Sequence, residues 1–313
     1  MNCLVYFRKA NFLSPHILLL LGFLSFMPLQ TVHGEDRVSL LPNLRAGQTL
    51  RYEVHGKVKR TVKTQSRVAT MVEPKNSEQF EVSATLLLTI KEVRKEKGRP
   101  SSVVAELEFL PLPDDAPPAT LPAAHKLQFT ISRDGQLSAP SGYDDLSADQ
   151  QLLWQFWFAR FAFPWTFPAN GVKPAEKWKI EEAEKSPSPI ANIFWERETT
   201  YGQNDKCPIT ATDRCAVFLT TAALKQKSST EDSTPESFRL HQLKTSGTVK
   251  GSNEIITYLS LPTGLLDRAS EDLAQTMDVY IIKEDDTNQV HYTIDVTSHF
   301  EAVILPATPA KPH

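Results

Sequence analysis

His291, Thr293 and Asp295 alternate with Val290, Tyr292, Ile294 and Val296. In an extended strand successive side chains point to opposite faces, so the first three share one side. A histidine beside an aspartate can act as a base and its orienter. The same alternation also describes a solvated strand face. Glu181, Glu182 and Glu184 form an acid cluster. Glycoside hydrolysis needs two carboxylates at a set separation, which a sequence does not give. Flanked by Lys177, Lys179 and Lys185, the three acids read as an exposed strand edge. The other histidines after residue 34 (His55, His125, His241, His299 and His313) are scattered. No Gly-x-Ser-x-Gly, His-Glu-x-x-His, phosphate loop or dinucleotide glycine pattern occurs. No catalytic residue is assigned, and neither a metal nor a cofactor is expected.

Cys207 and Cys215 lie in Cys-Pro-Ile-Thr-Ala-Thr-Asp-Arg-Cys, a polar, turn-like stretch. Outside the reducing cytoplasm such a pair closes a short loop as a disulfide. Zinc is the rival reading, and it lacks further Cys or His ligands at suitable spacing.

The densest chemistry is aromatic. Ser147-Ala-Asp-Gln150 is a capping box that starts a helix over Gln151–Phe163, and Pro164 ends it. The apolar arc of this helix holds Leu153, Trp154, Phe156, Trp157, Phe158 and Phe161. Arg160 falls inside that arc and needs a partner or a route to water. Packing on one sheet face needs only a stripe of apolar residues. The surplus could line a cavity for an acyl chain, meet a partner or touch a membrane. Trp154, Trp157, Phe158 and Phe161 are the candidate ligand-binding residues.

The elements that must position them are strands. From Leu50 to Val72 the even positions are largely apolar or β-branched and the odd positions largely charged. That is a half-buried antiparallel strand, with a bend or bulge expected near Gly56 or Arg60. Similar alternation marks 79–90, 102–109 and 127–131. Further strands are expected at 178–182, 193–201, 216–221, 238–249, 254–261, 277–283, 289–296 and 302–305. Pro111–Pro122 and Lys225–Pro235 read as loops. Leu127–Leu137 can be laid on Ile256–Leu266, and Gly47–Tyr52 on Gly171–Trp178, which suggests an internal duplication. In that alignment each turn glycine, Gly135 and Gly264, precedes a segment that could be helical.

Residues 1–34 have the order of a secretory signal: Arg8 and Lys9, an apolar run from Ile17 to Leu29, then Val32-His33-Gly34. The run falls short of the ~20 residues that span a bilayer; a retained N-terminal anchor is the alternative. No later stretch is apolar enough to cross a membrane as a helix. The chain carries 34 basic and 37 acidic residues. Losing Arg8 and Lys9 leaves 32 basic residues and a net charge of −5, which argues against nucleic acid as a partner. Residues 35–168 form a first β-rich half ending in the aromatic helix, 169–305 a second β-rich half, and 306–313 a loose tail.

Gly47 to Tyr52 (Gly-x-x-Leu-Arg-Tyr) and Gly171 to Trp178 resemble segments of uncharacterised bacterial exported β-rich proteins. That resemblance implies no activity. In general layout, an export signal, long antiparallel strands and an aromatic helix are similar to the LolA and LppX envelope carriers, which implies a half-open barrel with a helix on its concave side. The expectation is a mainly β protein: a long curved antiparallel sheet or half-barrel with one aromatic amphipathic helix. It is expected to be exported, periplasmic or extracellular. Its expected work is non-enzymatic: binding a hydrophobic ligand or lipid, or acting as an interaction or structural module with an envelope protein partner. A hydrolase of unrecognised type is the third reading.

Overall fold

In the computed structural model of the protein the described residues are 37–66, 76–96, 99–110, 126–138, 140–168, 170–183, 188–227, 234–283 and 289–306. The expected signal peptide lies outside them. So do the Pro111–Pro122 loop, His125, Glu184, most of the Lys225–Pro235 loop and the tail beyond Pro306.

Among the described residues period-two alternation produces strand at nearly every expected place, usually over longer stretches; positions 67–72 of the first expected strand lie outside the described residues. β1 is Thr49–Ser66, β2 Asn76–Glu96, β3 Arg99–Leu110 and β4 Lys126–Ser132. The second half supplies β5 (Lys177–Ala183), β6 (Ile193–Lys206), β7 (Arg214–Gln226), β8 (Leu243–Ser260), β9 (Leu266–Lys283) and β10 (Gln289–Leu305). Two expectations are corrected. The segment after Gly264 is not helical; it opens β9, where Leu266, Ala269 and Glu271 are buried. Phe238 does not begin a strand; it lies in α2, a single turn over Glu236–Arg239.

The strands form one open, uncurled antiparallel sheet, ordered β4-β3-β2-β1-β10-β9-β8-β7-β6-β5. The first and last strands are neighbours at its centre, with Arg51 opposite Leu305 and Val62 opposite Ile294. Both halves of the chain therefore share one sheet. β1 pairs without a register shift, so the expected bulge near Gly56 or Arg60 is absent. Gly56 has another reason: a Cβ there would fall inside the ring of Phe300, directly opposite on β10.

One sheet face, the inner face, carries Tyr52, Val54, Leu86, Leu107, Phe129 and Ala302, all buried. α1, Ala148–Phe161, lies on it. The expected capping box is present: Ser147 Oγ accepts from Gln150 N–H, and Gln150 Oε1 accepts from Ser147 N–H at 3.0 Å. The helix ends at Phe161, two residues before the expected stop. Pro164 sits inside a following 3-10 turn, Phe163–Thr166, where its missing N–H is tolerated. The opposite, outer face carries the charged positions of β1, such as Lys57 and Lys59, as the alternation implied.

Candidate functional site

The aromatic residues singled out by sequence are brought together, against the sheet. Trp154, Trp157 and Phe161 are buried and Phe158 is half-buried. Trp157 stacks on Phe161 with ring centroids 4.9 Å apart and meets Tyr52 at 5.7 Å. Trp154 and Phe158 both pack edge-on against Phe129, at 4.9 and 5.7 Å. Phe156 stacks on Phe300 at 5.1 Å. Past the helix, Phe163 meets Phe218 and Phe167 meets Trp178. The surplus aromatic surface thus carries the core from β4 near one sheet edge to β5 at the other.

Arg160 finds the partner its position demanded. It donates to Glu271 on β9 at 2.8 Å, and Glu271 also accepts from Asn253 on β8. Burial draws the Arg160 guanidinium below its usual pKa, and the neighbouring Glu271 carboxylate opposes that shift. On the same face Arg197 of β6 donates to Glu182 of β5 at 3.3 Å. The two pairs balance in charge. They stand between the helix-covered core and a second apolar cluster of Ile190, Ile193, Trp195, Leu224, Val249 and Val279.

Beyond α1 the inner face continues. Register places Val62, Ile294, Met277 and Val249 side by side across β1, β10, β9 and β8. Val62, Ile294 and Met277 are half-buried, and Phe80 on β2 is 38% exposed. At ~4.8 Å per strand the row is about 14 Å long. Sequence reading found the alternation on β1 and missed this band. The signal was present in Leu273, Met277, Val279 and Ile281, which alternate with polar residues from Asp272 onward.

The outer face gathers polar groups. His291 Nε2 lies 2.7 Å from Asp278 on β9, and its ring stacks on Tyr280 with centroids 4.3 Å apart. It does not meet Asp295, which accepts from Thr276 at 2.9 Å. Four residues along a strand span about 13 Å, so sharing a face did not bring that pair together. His299 pairs in the same way with Asp272, beside an open trough of about 430 Å³ between Lys57, Lys59, Gln79 and Glu254. Glu181 and Glu182 point to opposite faces of β5: Glu181 pairs with Lys227 and Glu182 with Arg197.

Cys207 and Cys215 form the expected disulfide, with Cα atoms 5.0 Å apart. Asp267 lies beside them. The sulfurs are bonded to each other, so neither is a thiolate ligand. Asp267 is already engaged, accepting from the Ile209 and Thr210 N–H groups at 3.0 Å and from the Thr210 hydroxyl. The trio braces a loop.

No family model matches the chain, and no curated protein matches it. Among solved structures, a chain described under asymmetric conductivity of engineered proteins aligns at 6% identity and a TM-score of 0.19, covering 80% of this chain and 99% of that one. An outer membrane channel from Pseudomonas putida F1 aligns at 10% identity and a TM-score of 0.14, covering 84% of this chain and 97% of the channel. Overlap this shallow carries no argument about fold or function. No helix among the described residues is long and apolar enough to cross a membrane.

Proposed function

We propose that the protein is an exported, non-enzymatic envelope protein that binds a hydrophobic ligand, an acyl chain or lipid, on the inner sheet face beyond α1. The observation that carries this reading is the half-buried row Val62–Ile294–Met277, running on into buried Val249, which continues the helix-covered core with no helix longer than one turn above it among the described residues. An extended chain laid across the strands would cover about 14 Å of apolar surface and complete a layer that α1 only begins. Trp154, Trp157 and Phe161 hold α1 in place at one end of that surface, with Phe158 at their margin. The disulfide and the signal-like first residues support an oxidising destination. Sequencing the N-terminus of protein recovered from a periplasmic or extracellular fraction is expected to begin near Glu35; a chain found only in the cytoplasm opposes export.

The alternation of strand faces supplies the test of binding. Ile294 points to the inner face and Thr293 to the outer. Ile294→Lys is expected to weaken binding of a fluorescent fatty acid at least tenfold, and Thr293→Lys to leave it unchanged. Equal affinity in both variants, or no binding by the wild type, refutes the reading.

A further inference from the structure

The two edges of the sheet are finished differently. Beyond β4 the chain doubles back and seals it: Gln128 and Ser141 exchange backbone hydrogen bonds at 3.2 and 2.9 Å, and Ser138 N–H reaches Thr130 O at 3.0 Å. β5 pairs with β6 on one side, and no described strand pairs with its other side. An unsealed edge is a row of backbone donors and acceptors ready for another strand.

The alternation of β5 follows from one bond. Tyr201 N–H donates to Glu176 O at 2.9 Å, and the register runs on through Trp178–Thr199 and Ile180–Arg197. In an antiparallel ladder, hydrogen-bonded pairs recur every second residue. Trp178, Ile180 and Glu182 therefore aim their backbone groups at β6. Lys177, Lys179, Glu181 and Ala183 aim theirs at the open side.

Placed antiparallel to itself about Ile180, this strand is its own complement. Lys179 falls opposite Glu181 of the second copy, and Glu181 opposite Lys179 of that copy, each as a hydrogen-bonded pair. Within one chain Glu181 stands opposite Glu196 and pairs with Lys227, while Lys179 reaches Glu196 and Glu198, so the cross-edge Lys179–Glu181 pairs would extend an existing charge network. Ile180, 37% exposed, would face its own counterpart on the inner face. Lysines on an edge commonly repel a second strand. Here Lys179 meets an acid, and Lys177 falls opposite Ala183, which carries no charge.

We propose that β5 pairs with β5 of a second copy of this chain, antiparallel about Ile180, joining two ten-stranded sheets edge to edge. The inference stands apart from ligand binding, because it uses an edge and not the inner face beyond α1.

Sedimentation velocity across a concentration series is the first test, with a concentration-dependent doubling of mass expected. Lys179→Glu alone should abolish the doubling, and Lys179→Glu with Glu181→Lys should restore it. In a full chain carrying Cys3→Ser, Ile180→Cys should cross-link to itself under mild oxidation. Opposed residues in a non-hydrogen-bonded pair have Cα atoms about 4.5 Å apart, within disulfide reach. Lys177→Cys, three residues from the axis, should not cross-link. A monomer at every concentration, a dimer indifferent to Lys179→Glu, or equal cross-linking at 177 and 180 overturns the proposal.

Discussion

Tyr52 is buried between Trp157 and Phe161, and among the described residues its hydroxyl has no hydrogen-bond partner. A buried unpartnered hydroxyl costs roughly 1–3 kcal/mol. Tyr52→Phe is therefore expected to leave stability unchanged or raise it by about 1 kcal/mol in urea unfolding at pH 7. Burial, then the nearby Asp267 charge, raises the Tyr52 pKa above its ordinary value. An unfolded tyrosine ionises near pH 10 while the folded one keeps its proton. The stabilisation this represents is intact below about pH 10 and is lost as pH rises further. The wild type should lose stability more steeply there than Tyr52→Phe; identical alkaline slopes would show that Tyr52 does not set it. The disulfide gives the second prediction at this scale. Closing a loop of this length stabilises by about 2.5 kcal/mol in the chain-entropy model. Cys207→Ser with Cys215→Ser should lower the unfolding free energy by roughly that amount. Both cysteines were legible in sequence because they are near neighbours in an odd composition. Asp267 was not, because it lies 57 residues from Thr210, whose hydroxyl it accepts, and only the pairing of β7 with β8 and β8 with β9 brings it there.

At the scale of the element, α1 was readable from its cap to within two residues of its end, since capping is local chemistry. Its apolar arc was equally plain, and so was the anomaly of Arg160 within it. The answer to that anomaly was hidden. Glu271 lies in a segment, Asp267-Arg-Ala-Ser-Glu-Asp, whose small and acidic residues resemble a helix start and whose alternation shows only in context. Removing one member of a buried pair leaves the other charge unpaired, at a cost of roughly 3–5 kcal/mol. Arg160→Met is expected to destabilise by about that much. Arg160→Met combined with Glu271→Leu should recover most of the loss, read as the midpoint of urea unfolding. If the double variant is as unstable as the single, Arg160 contributes through packing on Phe156, whose ring centroid lies 5.8 Å from its guanidinium, and not through charge. The strands show the opposite balance of local and distant signals. Alternation located them, but it could not say that the two expected strands at 238–249 and 254–261 are one continuous strand, β8, over Leu243–Ser260, preceded by a helical turn at 236–239.

Over the whole molecule, the strand order bears on the suggested duplication, which loses one detail. Read across the sheet, β4-β3-β2-β1 and β8-β7-β6-β5 run in the same order, separated by the β9–β10 pair. Gly47 and Gly171, aligned in sequence, have φ of +79° and +80°; Gly135 and Gly264 have +77° and +67°. The lost detail is the second helix, since β9 occupies its place. The junction of the two meanders is the β1–β10 seam, where Phe300 lies over Gly56 and against Phe156. No periodicity within either half announces that seam, because it pairs the first strand with the last. It does decide how the protein should unfold. Trp154 and Trp157 report on the β1–β4 side, Trp195 on the far cluster between β6 and β9. If the seam couples them, tryptophan fluorescence and far-UV circular dichroism should follow one transition in urea. Phe300→Ala should lower the unfolding free energy by the ~3–5 kcal/mol typical of a buried phenylalanine while keeping the two signals coincident. Two separated transitions would mean that each meander holds its own structure and that β1 and β10 only dock one onto the other.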